Sequence, residues 1–134
     1  MLRSLLASSQ VSVLEQALSA ASLRQKVISN NIANVNTPGF KKSTVIFEDL
    51  LQDAVNGGKL QLTRTQEQHI PTPGNDKILP LLSTDDSTAF RTDGNNVDID
   101  VEMAGLAKNS IYYDAVAQQL GTYFTNLKSA IKGS

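Results

Sequence analysis

The sequence predicts a mainly α-helical chain: long N- and C-terminal helices forming a coiled-coil-like pair, joined by an irregular middle with little β structure. Three observations carry that prediction. Apolar residues recur at alternating spacings of three and four through residues 11–35, and again through 99–131, which is the period of a narrow helical seam. Between these stretches the period dissolves into sequence rich in Pro, Gly, Thr, Asp and Asn. Only 5% of the residues are aromatic and none is tryptophan, so a core built from Leu, Ile, Val and Ala would be thin.

Residues 1–40 read as the first helix and the turn that ends it. Val11, Leu14, Leu18, Ala21, Ile28, Ile32 and Val35 form its stripe, with Gln25 the one polar residue on it. At 1.5 Å per residue the helix would run roughly 37 Å. SNNIANVNTPGF (29–40) closes it, with Asn30, Asn31, Asn34 and Asn36 followed at once by Thr37, Pro38 and Gly39. Asparagine amides compete for nearby backbone groups and disfavour a helix interior. Pro38 disfavours helical geometry at Thr37 and Gly39 supplies the exit, so the helix should stop near Asn36. On a helical wheel Asn30 and Asn34 are four apart, and Asn31 lies beside Ile28 and Ile32. Such amides can cap carbonyls at a fraying end, or hydrogen-bond across helices and fix the register between subunits.

The middle, residues 41–98, has weaker signals. KKSTVIFEDLLQDAV (41–55) suits a short extended piece followed by a helical turn or two, and NGG (56–58) suits a turn. KLQLTRTQ (59–66) alternates well enough for one strand. From His69 to Asn96 the chain reads as a loop or small irregular lobe, with ILPLL as its one apolar island.

Residues 99–134 read as the second helix, beginning after the alternating stretch NVDID. Its stripe is Met103, Leu106, Tyr113, Ala117, Leu120, Phe124, Leu127 and Ile131, with Ser110 the single polar break. Asp98, Asp100 and Glu102 suit the positive N-terminal end, Lys128 and Lys132 the negative end, and Gly133 the stop. Two helices alone bury one side of each. Leu23, Val27, Ile111, Val116 and Tyr123 would be left seeking partners, which favours assembly.

Little in the chain points to chemistry. Twelve basic and 13 acidic residues leave no electrostatic footprint for nucleic acid or anionic lipid. Absence of cysteine excludes disulfides, thiolate metal sites and cysteine catalysis. His69 is the sole histidine, and one His beside one Glu makes neither a zinc site nor a nucleophile–base pair. DGNNVDID (93–100) places acidic and amide oxygens at alternate positions, with Asp93, Asp98 and Asp100 as its carboxylates. Counted from Asp93, however, the sixth residue of a calcium loop would be Asp98 rather than Gly, and the twelfth Ala104 rather than a carboxylate. Gly57 and Gly58 lead into Lys59-Leu60, which is not a phosphate cradle. No apolar run approaches the roughly 18 residues of a membrane span. The N-terminal apolar patch is broken by Ser8, Ser9 and Gln10, unlike a cleaved secretory signal. The expectation is a non-enzyme without metal or cofactor, whose working part is an interaction surface. A self-contained helical adaptor or export-associated binding module would show the same heptads.

SNNIANVNTPGFKK resembles the N-terminal signature of the bacterial flagellar rod and hook family through Asn30, Asn31, Ile32, Ala33, Asn34, Thr37, Pro38, Gly39 and Phe40. Thr63-Arg64-Thr65 with His69-Ile70, then Asp93 to Asp98, Glu102-Met103, Asn109 and Tyr113 extend the likeness nearly end to end, toward the family's short proximal rod subunits. One departure stands out: Ser110 to Val116 replaces the Arg-[Ala/Ser]-Tyr-x-Ala-Asn box usual in the C-terminal helix. That sets the chain apart from the neighbouring short rod subunit. The resemblance implies a helical tube in which terminal helices of many copies pack concentrically and the middle makes lateral contacts. It also implies export through the flagellar type III apparatus without a cleaved signal, and a place in the periplasmic rod of the basal body. Partners would be copies of the chain, other rod subunits, the membrane ring with its rod adaptor, and the export apparatus. The two stripes and the Asn/Thr-Pro-Gly segment would then form the assembly interface.

Overall fold

The computed structural model of the chain describes residues 9–55, 80–86 and 92–133. Five elements follow in order: α1 (Ser9–Ala33), β1 (Ser43–Ile46), α2 (Glu48–Val55), β2 (Leu81–Thr84) and α3 (Ile99–Lys132). The mainly helical expectation holds, with two long terminal helices around a small middle. The strand expected in 59–66, the turn at 56–58 and His69 lie outside the described residues.

α1 ends at Ala33, three residues before the expected stop. The amide of Asn34 is shared between the carbonyls of Asn30 and Asn31, and Thr37 N–H bonds Asn34 O at 3.0 Å. Pro38 then prevents a return to helix, and Gly39 takes φ 71°, a left-handed conformation that costs glycine nothing. α3 starts one residue after its N-cap Asp98, whose carboxylate accepts from Asp100 N and Val101 N. It therefore begins inside NVDID rather than after it, because the cap is the first of its two later aspartates. Gly133, at φ 68°, ends it.

α1 and α3 pack antiparallel. Asn31 meets Glu102, Ile28 lies over Gly105, Ala21 and Gln25 meet Asn109, and the first turns of α1 at Val13 and Leu14 share a groove with Gln119 and Tyr123. A Cβ on Gly105 would sit 3.7 Å from Ile28 Cδ1, so this crossing is close. The inner side of α3 therefore runs Glu102, Gly105, Asn109, Tyr112, Val116, Tyr123. That is a three–four repeat set one residue before the expected stripe, and one residue is about 100° of helix rotation. Met103, Tyr113, Phe124 and Ile131 are accordingly 50, 42, 42 and 62% exposed. Leu106, Ala117, Leu120 and Leu127 are half-buried. Gly105 and Asn109 let the two backbones approach at the crossing, Tyr112, Val116 and Tyr123 fill the rest of the inner face, and the expected stripe lies on the flank.

The apolar core is thin, as composition predicted. Phe47 is fully buried on Ala17 and Ala20, flanked by Leu50 and Leu51 of α2 and by Tyr112 and Val116 of α3. β1 and β2 pair antiparallel, Ser43 opposite Thr84 and Ile46 opposite Leu81. Within His69–Asn96, expected as a loop or small irregular lobe, Leu81–Thr84 forms a short strand, extended because β1 offers a ladder some 40 residues away in sequence. A two-strand ribbon is marginal alone. Here Val45 and Phe47 anchor it to the helices.

Candidate assembly site

Asparagines at two turns far apart in the chain, 30–36 and 95–96, tie the helices and strands together through side-chain amides. Asn31 is 1% exposed and donates through Nδ2 to Ser43 O at 2.8 Å and Glu102 Oε2 at 3.0 Å, while its Oδ1 accepts from Ser43 N at 3.1 Å. One amide side chain thus satisfies both backbone groups of the first β1 residue and ties α1 to α3. Asn95, fully buried, directs Nδ2 at the carbonyls of Asn34, Val35 and Thr37 and accepts Val97 N–H at 2.7 Å. Asn34 O and Thr37 O also accept the backbone amides of Thr37 and Phe40, so Asn95 adds a side-chain donor to a turn that is already closed. Asn96 accepts from Lys42 N at 2.7 Å and donates to Asp85 O at 2.8 Å, joining the entrance of β1 to the exit of β2. Gly39 N–H bonds Asp93 O, and Gly94, at φ 84°, brings its backbone against Gly39: a Cβ there would lie 3.7 Å from Gly39 Cα. Each such bond contributes about 0.5–1.5 kcal/mol net, but breaking one leaves a buried group that costs ~1–3 kcal/mol. The joint is therefore rigid chiefly because every alternative is worse.

Further along, Arg24 of α1 pairs with Glu48 at the start of α2. Burial pushes the Glu48 carboxyl up, but the Arg24 hydrogen bond, its backbone bond and the charges of Arg24 and Lys108 together hold it below its ordinary value. Burial, and then the Glu48 charge, push the Tyr112 phenol up. Past this point the polar inner face reaches Asn109, 3% exposed, which donates to Ala21 O at 2.9 Å and Gln25 Oε1 at 3.0 Å. Its Oδ1 is buried without a partner among the described residues.

The residues expected at an interface separate into two groups. Asn31, Ile28 and Ala21 are buried within the chain; Leu14, Leu18, Ile32, Val35 and Phe40 are half-buried beside them. Asn30, Thr37, Pro38 and Gly39 are exposed at the turn. Asn34 is half-buried and donates to Asn30 O while accepting from the Thr37 hydroxyl. The α3 stripe lies along the open flank, with Ile99, Val101 and Ile111 adding exposed apolar surface. Sequence reasoning placed Glu102 at the start of the second helix but did not foresee the long-range hydrogen bonds of Asn95, Asn96, Glu102 and Asn109. The signal available for two of them was the three–four spacing of Glu102, Gly105 and Asn109, which an apolar search passes over. Asp93 and Asp98, tested above as calcium ligands, are used as a turn acceptor and a helix cap. No cluster of three metal-binding side chains occurs among the described residues, and none of their helices is long and apolar enough to cross a membrane.

Comparison with known proteins agrees with this geometry. Residues 12–41, which are α1 and the Asn-rich turn, match the family described as flagella basal body rod protein. The chain is 38% identical over 126 residues to flagellar basal body rod protein FlgB of Bacillus subtilis (strain 168), covering 94% of this chain and 95% of that protein. It is 36% identical over 121 residues to FlgB of Borreliella burgdorferi, covering 86% and 90%. FlgB of Aeromonas hydrophila is 32% identical over 123 residues, covering 89% of each. These similarities span both helices and the joint between them, and the chain belongs to the FlgB family of flagellar basal body rod proteins.

Proposed function

We propose that the chain works as a purely mechanical subunit of the flagellar basal body rod, with the exposed apolar stripe of α3 as the surface that joins it to its neighbours. The observation that carries this reading is the contrast in burial. The inner face of α3 is closed by amide, glycine and α1 contacts, while Met103, Ile111, Tyr113, Phe124 and Ile131 remain 42–72% exposed along a 34-residue helix. A self-contained adaptor has no use for such a strip, whereas a subunit that finishes its core by stacking does.

A heterologous contact that does not close into a ring builds an open helical assembly, and in this reading that assembly is a tube with an axial channel. Neighbours in this reading are copies of the chain, other rod subunits, and the ring and adaptor proteins at the base. Residues 1–40 and 99–134 supply the packed helices, and 41–98 the lateral contacts. The exposed Asn30, Thr37, Pro38 and Gly39 turn and half-buried Phe40 extend the interface at one end. A chain whose helices need partners suits export in an unfolded state, without a cleaved signal, and folding at the periplasmic growing end. No catalytic step is required of it.

The test replaces Phe124 and Ile131 together by Ser in motile cells. Motility and rod assembly should be lost while the purified variant keeps the helicity of the parent by circular dichroism. Full motility in that double variant would refute the stripe as the joining surface.

A further inference from the structure

We infer that, before assembly, the exposed flank of α3 is covered by the same flank of a second copy lying antiparallel, which stores the chain as a closed pair. The pair's geometry rests on the flank itself; its role as a stored form rests on the rod reading above. From Ile99 to Ile131 the flank steps by four and three residues without a break, and Ser110 is its one polar member. That is more than four heptads, long enough for a coiled-coil partner. On it Ile99, Met103, Tyr113, Phe124 and Ile131 are 42–62% exposed, open to an incoming helix. The occupant must be a long helix whose own apolar stripe is still open. With eight residues α2 is too short. The exposed residues of α1 between Glu15 and Asn30 are all polar: Glu15, Ser19, Ser22, Lys26, Ser29 and Asn30. Among the described residues only α3 meets the condition.

The steps also select the orientation. Their order reads the same in both directions about a centre near residue 115, so the flank matches its own reverse along its whole length. Ile99 then meets Ile131 of the second copy, Leu106 meets Phe124, and the small Ser110 and Ala117 meet Leu120 and Tyr113. A parallel pair in register would set Phe124 on Phe124 and Ala117 on Ala117, crowding one layer and leaving a gap at the other. Charge agrees. Asp98 and Asp100 stand at one end of α3, Lys128 and Lys132 at the other, so only the antiparallel pair brings unlike ends together. Such a contact is isologous and closes on itself. It covers the joining stripe, and a paired chain adds to no rod until it separates.

The sequence lacks cysteine, so Asp114→Cys or Lys132→Cys, both at exposed positions, places one nitroxide on each copy of the purified full chain. Double electron–electron resonance then reads the distance between copies. In the antiparallel register Asp114 and its mate are offset along the axis by two residues, roughly 3 Å, and Lys132 and its mate by 34, roughly 51 Å. A short distance at 114 and a long one at 132 are expected, with the parent's helicity by circular dichroism. Adding Phe124→Ser should lower the paired fraction several-fold. Short distances at both sites would mean a parallel pair and overturn the inference, as would the absence of any defined distance at either. Neither result touches the rod reading, which is read by motility in cells. Full motility of the Phe124→Ser with Ile131→Ser variant would overturn the rod reading and the storage role, even with the expected distances in hand.

Discussion

The two ends of the helical pair are built by opposite rules. At the joint end, where Asn31, Asn95, Asn96 and Glu102 meet the turns at 37–39 and 93–96, the buried amides find partners inside the chain. At the distal end, from Asn109 to Lys132, a buried acceptor lacks a partner among the described residues and large apolar side chains face outward. The first region fixes a shape without help. The second is finished by something else. A subunit that must join others with one defined geometry needs both: a stiff reference frame, and a surface whose free energy is released on assembly.

The largest separation between the regions should come from apolar truncation at the distal end. Fully burying a large apolar side chain is worth about 1.5–3 kcal/mol, and Phe124 and Ile131 are 42 and 62% exposed, so Phe124→Ser with Ile131→Ser should weaken association by about tenfold to a hundredfold, each 1.4 kcal/mol being tenfold. Sedimentation across a concentration series reads this, while dilute helicity stays unchanged. Asn95→Ala should do the reverse. It removes the side-chain donor to three turn carbonyls and strands the buried Val97 N–H, costing about 1–3 kcal/mol of folding stability in urea titration. An equal loss of dilute stability in both variants would erase the contrast.

A smaller effect belongs to the crossing of the two turns. Gly94→Ala places a Cβ on a residue at φ 84°, and a left-handed conformation costs a non-glycine residue about 1–2 kcal/mol, which thermal unfolding would register. The electrostatic contribution should be smaller still. Because the Glu48 carboxyl is held below its ordinary value, its contribution is fully present above the unfolded pKa and fades as pH falls through the folded one. Tyr112 has the opposite sense. Its raised phenol stabilises below the unfolded value near 10 and loses that contribution as pH rises through the higher folded value. Glu48→Gln should flatten only the acid limb of a stability–pH profile, by well under 1 kcal/mol, since the pair is half exposed.

What the sequence revealed follows the range of the interactions. α1, α3, the Asp98 cap and the glycine stops depend on residues within four positions of one another, and periodicity and caps display them. Asn95 and Asn31 act on residues dozens of positions away, so only the density of asparagines hinted that both mattered. β2 was invisible because its partner strand is some 40 residues earlier. The stripe on α3 was found correctly as an apolar feature, yet Glu102, Gly105 and Asn109 show that the chain's own pairing uses the adjacent polar and small face. Counting hydrophobic residues identified the flank left partly exposed, and the residues one position earlier, from Glu102 and Gly105 to Tyr112 and Val116, carry the intramolecular contact.

The contrast between the two ends is tested most directly by amide hydrogen exchange on the purified chain, followed across a wide dilution series. Amides of residues 28–46 and 93–109 should stay protected when dilute, while those of 117–132 exchange quickly and slow only as concentration and assembly rise. Uniform protection of both regions in the most dilute sample would contradict the account, because the distal helix would then be complete on its own.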